Sequence, residues 1–190
     1  MLDPPGRPGH TGDVNRFVVD QAPPGAVLEH ADQAVRYVER AVGIAMEYDS
    51  DTLPILDHYL RTVPQRRDEM VRLVAATSGA YFGEVVRRRL GGQWDLSAGD
   101  PAGWRLVLPT GLSFSPAGVV AEAIAQDDSD VMPAAFDAPL RLRPHLEQAL
   151  SRMGEVTVEV FYSLCGRLDT LEHLEDVLLA IAAHASSRRN

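Results

Sequence analysis

The residues best able to do chemistry lie in one stretch: Tyr81, Glu84, Arg88 and Trp94. Tyr81 and Glu84 are three apart and Glu84 and Arg88 four apart, so on a helix the phenol, carboxylate and guanidinium share a face. A carboxylate withdrawn from water has its pKa raised toward the range of a general acid or base, and Trp94, a turn later, is placed to wall off water. The same residues have a structural reading. Glu84 can pair with Arg87 or Arg88 at helical spacing, or accept from backbone N–H groups in the glycine-rich turn that follows. The structural reading is favoured, because buried carboxylates are held in ion pairs or hydrogen bonds more often than they serve catalysis.

Other candidates are weaker. Asp169, His173 and Asp176 share one helical face, but three ligands on one helix rarely hold a divalent cation, and the His-Glu-x-x-His arrangement of metalloproteases is missing. The acidic loop Asp127–Asp130 lacks the glycine and terminal glutamate of a calcium loop. Gly111-Leu112-Ser113-Phe114-Ser115 lacks the second glycine of a nucleophile elbow. Cys165 is the single cysteine, which excludes an internal disulfide and every multi-cysteine metal set; following an apolar stretch, it is expected to be an inert thiol. All 18 basic residues are arginine, so no lysine is present for a Schiff base, a phosphate-binding Gly-Lys-Ser/Thr loop or a kinase-like site. Gly91, Gly92 and Gly99 form no dinucleotide fingerprint. No cofactor and no metal is implied.

A formal net charge of −9 works against binding a polyanion, so nucleic acid is not an expected partner. The short runs Arg66-Arg67 and Arg87–Arg89 read as solvated helix turns. No apolar run reaches the roughly 18 residues of a membrane span, and the start lacks the basic and apolar regions of a secretory signal, so a soluble, cytoplasmic protein is expected. The Arg-only, Ala-rich composition suggests a GC-rich bacterial genome.

The elements that must position these residues follow from periodicity. Residues 1–24, rich in Pro and Gly, read as a flexible tail in which Phe17–Val19 can pair as a short strand, and 25–187 as one domain. Leu28, Ala31, Val35, Val38, Val42 and Ala45 mark one buried face of a helix from Ala26 to about Tyr48. Asp49-Ser50-Asp51 caps a shorter helix bearing Leu53, Leu56 and Leu60. A third helix, about 65–90, is apolar on most sides and therefore central; Gly79 and Gly83 allow another backbone close, and Gly91-Gly92 stop it. Alternation at Trp104, Leu106 and Leu108, then at Leu112 and Phe114, predicts two strands joined across Pro109-Thr110-Gly111. Helices are expected from Pro116 and from Pro144, the latter burying Leu146, Leu150 and Met153. A further strand is expected over 156–162, and a last helix capped by Asp169 or Thr170, with Glu172 completing a capping box, burying Leu171, Leu174, Leu178 and Ile181. The sum is an α+β domain, a small, at least partly antiparallel sheet of three or four strands packed with five or six helices.

Two strings resemble known sequences. Glu47–Asp57, followed by Thr77-Ser78-Gly79-Ala80-Tyr81-Phe82-Gly83-Glu84-Val85-Val86-Arg87 and Gly91-Gly92-Gln93-Trp94, is similar to uncharacterised bacterial proteins with a Gly-Ala-Tyr-Leu-Gly-Glu-Val … Gly-Gly-x-Trp segment, described only as domains of unknown function. The likeness spans about residues 30–115, with Phe82 where Leu is usual, and it implies no activity. The expected function is accordingly a non-enzymatic protein-binding or adaptor domain, with a protein partner and homo-oligomerisation open. The alternative is a small-molecule-binding protein or hydrolase using a pocket around Glu84, Tyr81, Trp94 and Arg88. An immunity- or antitoxin-like partner is a third reading, by analogy with the small acidic format.

Overall fold

The computed structural model describes residues 22–65 and 67–187. The expected tail lies outside them apart from residues 22–24, as does the strand at Phe17–Val19. The fold is α+β: seven α-helices and a three-stranded antiparallel sheet among the described residues. Helix α1 (Gly25–Val42) is shorter than its periodicity predicts, because Gly43 at φ 75° takes the left-handed conformation and ends it. Its buried face is also rotated, carrying Val27, Ala31, Ala34 and Val38. Asp49 caps a single 3-10 turn, accepting from the Asp51 N–H at 3.1 Å, and α2 (Leu53–Leu60) follows with Leu53, Leu56 and Leu60 buried as expected.

Helix α3 (Asp68–Leu90) is the central element and packs against both α1 and α4 (Pro116–Ala125). A Cβ at Gly79 would lie 2.6 Å from the Ala117 backbone, so this glycine is what lets α4 cross so closely. At Gly83 the close neighbour is the Trp94 side chain rather than a backbone. Gly91 and Gly92, at φ 81° and 122°, turn the chain into β1 (Gln93–Asp95), which pairs with β2 (Arg105–Val107), itself paired with β3 (Ser113–Phe114). Leu106 and Phe114 stand opposite each other on the buried side of the sheet.

The C-terminal third departs most from expectation. Helix α5 (Arg143–Arg152) buries Leu146 and Ala149 but leaves Leu150 and Met153 exposed. The strand expected at 156–162 does not form: Val158–Phe161 is one helical turn, α6, capped by the Thr157 hydroxyl. Alternation alone predicts a strand only where a neighbouring strand offers free N–H and C=O groups, and none runs beside this segment; the third strand of the sheet is β1 instead. Helix α7 (Leu164–Ser187) begins before Asp169, so neither Asp169 nor Thr170 caps it. Its first N–H groups are met by Ser163 and, from α2, by Asp57, whose two carboxylate oxygens accept from Leu164 and Cys165 at 2.8 and 3.3 Å. Glu172, freed from a capping role, pairs with Arg89 at 2.6 Å. Leu171, Leu174 and Leu178 are buried as predicted, whereas Ile181 is only partly so.

Candidate functional site

Glu84 is fully buried, and the fold supplies a partner to each of its oxygens. Arg87, one turn along α3, donates from Nε to Oε1 at 2.8 Å and from a terminal nitrogen to Oε2 at 3.1 Å. The Trp94 indole N–H, brought over α3 by the Gly91-Gly92 turn, donates to Oε1 at 2.7 Å. Arg88 approaches Oε2 more loosely, at 3.9 Å, and its side chain is half-exposed. A forked guanidinium and an indole donor between them satisfy a carboxylate withdrawn from water.

Tyr81 is also fully buried, but its hydroxyl points away from Glu84. It donates to the Glu47 carbonyl and shares a hydrogen bond with the Thr52 hydroxyl, so it fastens the loop between α1 and α2 to the central helix. Tyr48 stacks on its ring at 5.1 Å between centroids, with the Arg88 guanidinium 4.4 Å from the centre of the Tyr48 ring. The Tyr48 hydroxyl donates to Asp32 at 2.6 Å. Burial pushes both phenols above their ordinary value, aided at Tyr48 by the Asp32 carboxylate, and a general base needs the opposite shift. Tyr81, Glu84, Arg88 and Trp94 thus come together as closed packing. The space that a substrate would need beside Gly83 is filled by the Trp94 ring, 2.3 Å from where a Cβ would sit.

The stretch from Gly79 to Trp94 is therefore scaffold in this chain. Gly79 admits α4, Gly83 admits Trp94, Tyr81 holds the Glu47 carbonyl, and Glu84 binds Arg87 and Trp94. At Gly92 a side chain would also meet the Val107 carbonyl at 2.7 Å. Each of these residues has a packing reason.

Four buried charged groups escape the sequence reading. Glu122 on α4 accepts from the Ala134 N–H at 2.8 Å and from Arg167 at 3.0 Å, and Arg167 lies 4.3 Å from the Phe161 ring centre, 5.3 Å from that of Tyr162 and 5.7 Å from that of Phe136. Burial raises the Glu122 carboxyl and lowers Arg167, and the Arg167 Nε has no partner. Glu175 on α7 takes a hydrogen bond from the Thr110 hydroxyl of the β2–β3 turn, leaves its other oxygen unpaired, and is raised by burial. Asp57 caps α7 from 107 residues away. No local spacing signals partners so distant. Cys165 is pushed up to about 12 by burial and then by Asp57, which leaves it a poor nucleophile. Among the described residues no group of three or more His, Cys, Asp or Glu is placed to hold a metal ion; His173 instead lines a groove with α5.

A different kind of feature lies at the other end of the chain. Every residue from Leu150 to Phe161 is exposed, and six of them are large and apolar: Leu150, Met153, Val156, Val158, Val160 and Phe161. On one side Met153 and Val156 rim a groove of about 440 Å³ between α5 and α7, and on the other Val156, Val158 and Phe161 rim a shallower depression of about 500 Å³. The arm is fastened at its far end, where Gly166 admits the Val160 carbonyl (2.1 Å from where a Cβ would sit) and Arg167 stacks on Phe161. So many large apolar side chains gathered on one exposed ridge are uncommon on a monomer's surface. No helix among the described residues is long and apolar enough to cross a membrane. Comparison with known proteins returned no matching family model, curated protein or solved structure.

Proposed function

We propose that this chain is a non-enzymatic protein-binding domain that works through the arm Leu150–Phe161. The observation that carries the reading is the pairing of a closed centre with an open arm. The residues most able to do chemistry, Glu84 and Tyr81, have no exposed surface, while half of a twelve-residue exposed run is large and apolar. A non-functional surface would be expected to scatter such residues singly rather than gather them on one anchored ridge. The uncharacterised bacterial proteins that the Gly79–Val85 and Gly91–Trp94 segments resemble would share the scaffold, and the arm, outside that segment, would carry what is particular to this chain.

The test uses the full chain as bait in an extract of its native host, beside Val158→Glu on the arm and Glu84→Gln in the centre. Binding lost with the arm variant and retained with the central one is the expected result. Binding that ignores Val158 but fails with Glu84→Gln, in a protein that still folds, would overturn the reading and return attention to the centre.

A further inference from the structure

We propose that Glu122 and Arg167 form an acid-sensitive latch: a proton taken up at the Glu122 carboxylate drives the Arg167 guanidinium out to water and releases α6, the anchored end of the arm. The proposal rests on the reading of the arm as the interaction surface and adds how that surface is regulated. Arg167 is where the arm is fastened. Its guanidinium lies 4.3 Å from the centre of the Phe161 ring and 5.3 Å from that of Tyr162, with Phe136 of the loop after α4 at 5.7 Å. The other polar holds on the arm are at the surface, where Glu159 meets Arg61 and the Tyr162 hydroxyl donates to Asp128 at 2.9 Å. Exposed pairs of this kind add little, so the buried cation carries the attachment.

That cation depends on one carboxylate. Arg167 and Glu122 are both buried, they meet through one terminal nitrogen at 3.0 Å, and the Arg167 Nε has no partner. Asp128, from the loop after α4, faces both groups, and Tyr162 faces Arg167, but Asp128 is exposed and already accepts from Tyr162. Helices α2 and α3 and the 3-10 turn Pro101–Gly103 also pack on α4. Their buried titratable groups are engaged elsewhere: Asp57 by the first N–H groups of α7, Tyr81 by the Glu47 carbonyl and Thr52, Glu84 and Arg87 by each other; the turn carries none. On α7 itself Glu175 is taken by Thr110. Among the described residues no buried carboxylate stands ready to replace Glu122. Burial raises the Glu122 carboxyl, so it accepts a proton while exposed carboxylates are still ionised. Arg167 cannot answer by shedding its own proton, although burial lowers it too. A charge left alone out of water is costly, and the Phe161 ring beside it is 47% exposed, so the long side chain reaches water by turning past that ring. With Arg167 gone the Glu122 carboxyl is held higher still, and acid therefore favours the released form.

Amide hydrogen exchange on the full chain, read as protection factors so that the intrinsic pH dependence of exchange cancels, tests the latch. The amides to follow are those of Phe161 and Tyr162, which donate to the Thr157 and Val158 carbonyls at 2.9 and 3.0 Å in the anchored turn. Their protection is expected to fall on the order of tenfold from about pH 7.5 to about pH 5, while that of residues 81–86 on α3 holds. The midpoint should coincide with the titration of Glu122, followed by NMR of its carboxyl carbon, a measurement that needs no variant. Glu122→Gln should show the released turn at both ends of the range. Arg167→Met strands no charge and should show no pH step. Constant protection while Glu122 titrates overturns the latch, as does a Glu122 that stays ionised down to about pH 5. A step that persists in Arg167→Met, or one shared with α3, overturns it equally. The reading of the arm fails by a different observation: if Val158→Glu leaves capture intact at both pH values while the step is present, the latch stands and the arm is not the surface. Capture that depends on Val158 without a pH step keeps the arm as the surface and removes the latch.

Discussion

The neighbourhood of Glu84 and the arm from Leu150 to Phe161 are built from similar residues, aliphatic side chains interleaved with glutamate and arginine, yet one is sealed and the other bare. What separates them is whether the chain supplies an opposing surface. Helix α3 is packed against α1 and α4, and Trp94 closes over Glu84, so every apolar face meets another and the carboxylate meets two donors. The arm touches the rest of the chain through Gly166, Arg167 and the 2.9 Å ion pair of Glu159 with Arg61. A buried carboxylate costs several kcal/mol unless paired, so the first region's chemistry is committed to stability. The second region has apolar area in water and nothing internal to cover it.

If that contrast is right, changes in the sealed region should be the more expensive. The largest effect is expected at Gly79→Leu. Its Cβ would lie 2.6 Å from the Ala117 backbone, and a helix axis yields less readily than a side chain, so destabilisation of ~3 kcal/mol or more should result. Chemical denaturation measures it. An unchanged midpoint would mean that α3 and α4 do not cross at this glycine and that the centre is looser than described.

Glu84→Gln should cost less, about 1 to 3 kcal/mol, because the amide keeps the shape but leaves Arg87 poorly compensated and can place an NH₂ against the Trp94 N–H or the guanidinium. The denaturation midpoint should fall at constant slope. A variant as stable as the parent, or more so, would break the contrast: it would mark Glu84 as held at a cost to stability, and a ligand screen would then be warranted.

Glu175 offers a smaller, pH-dependent effect. Its carboxyl is raised above the ordinary 4.5, chiefly by burial, so the folded chain holds this proton more tightly than the unfolded one. The resulting stability is complete below pH about 4.5 and is lost as pH rises through the folded value. Glu175→Gln removes that dependence, so its melting temperature should gain on the parent's as pH increases from 4.5 and level off once the parent's carboxyl is ionised. Glu122 is shifted in the same direction and remains in both proteins, which is why the difference between them is the quantity to follow. Parallel profiles would show that Glu175 titrates alike in the folded and unfolded chain, against the shift that burial should cause.

The centre was legible because its signals are local. The glycines of α3, the Gly91-Gly92 stop, the leucines of α2 and the spacing of Glu84 from Arg87 all act within a few turns of chain. Glu122 with Arg167, Thr110 with Glu175, and Asp57 at the start of α7 join residues 45 to 107 positions apart, and nothing in the spacing of either partner announces the other. The arm misled for a further reason. Val156, Val158 and Val160 alternate as a half-buried strand does, but burial depends on a partner, and alternation records only that one side of the segment is apolar. The same pattern that failed as a strand signal is the one that marks the surface.

The smallest effect is therefore expected on the arm, and it is the sharpest test of the contrast. Val158 is 62% exposed and Val156 57%, so Val158→Glu removes little contact within the chain and should change its stability by no more than about 0.5 kcal/mol. The variant's melting temperature should match the parent's. A variant that melts well below the parent would show that Val158 packs inside the chain after all, and the arm would then belong to the core.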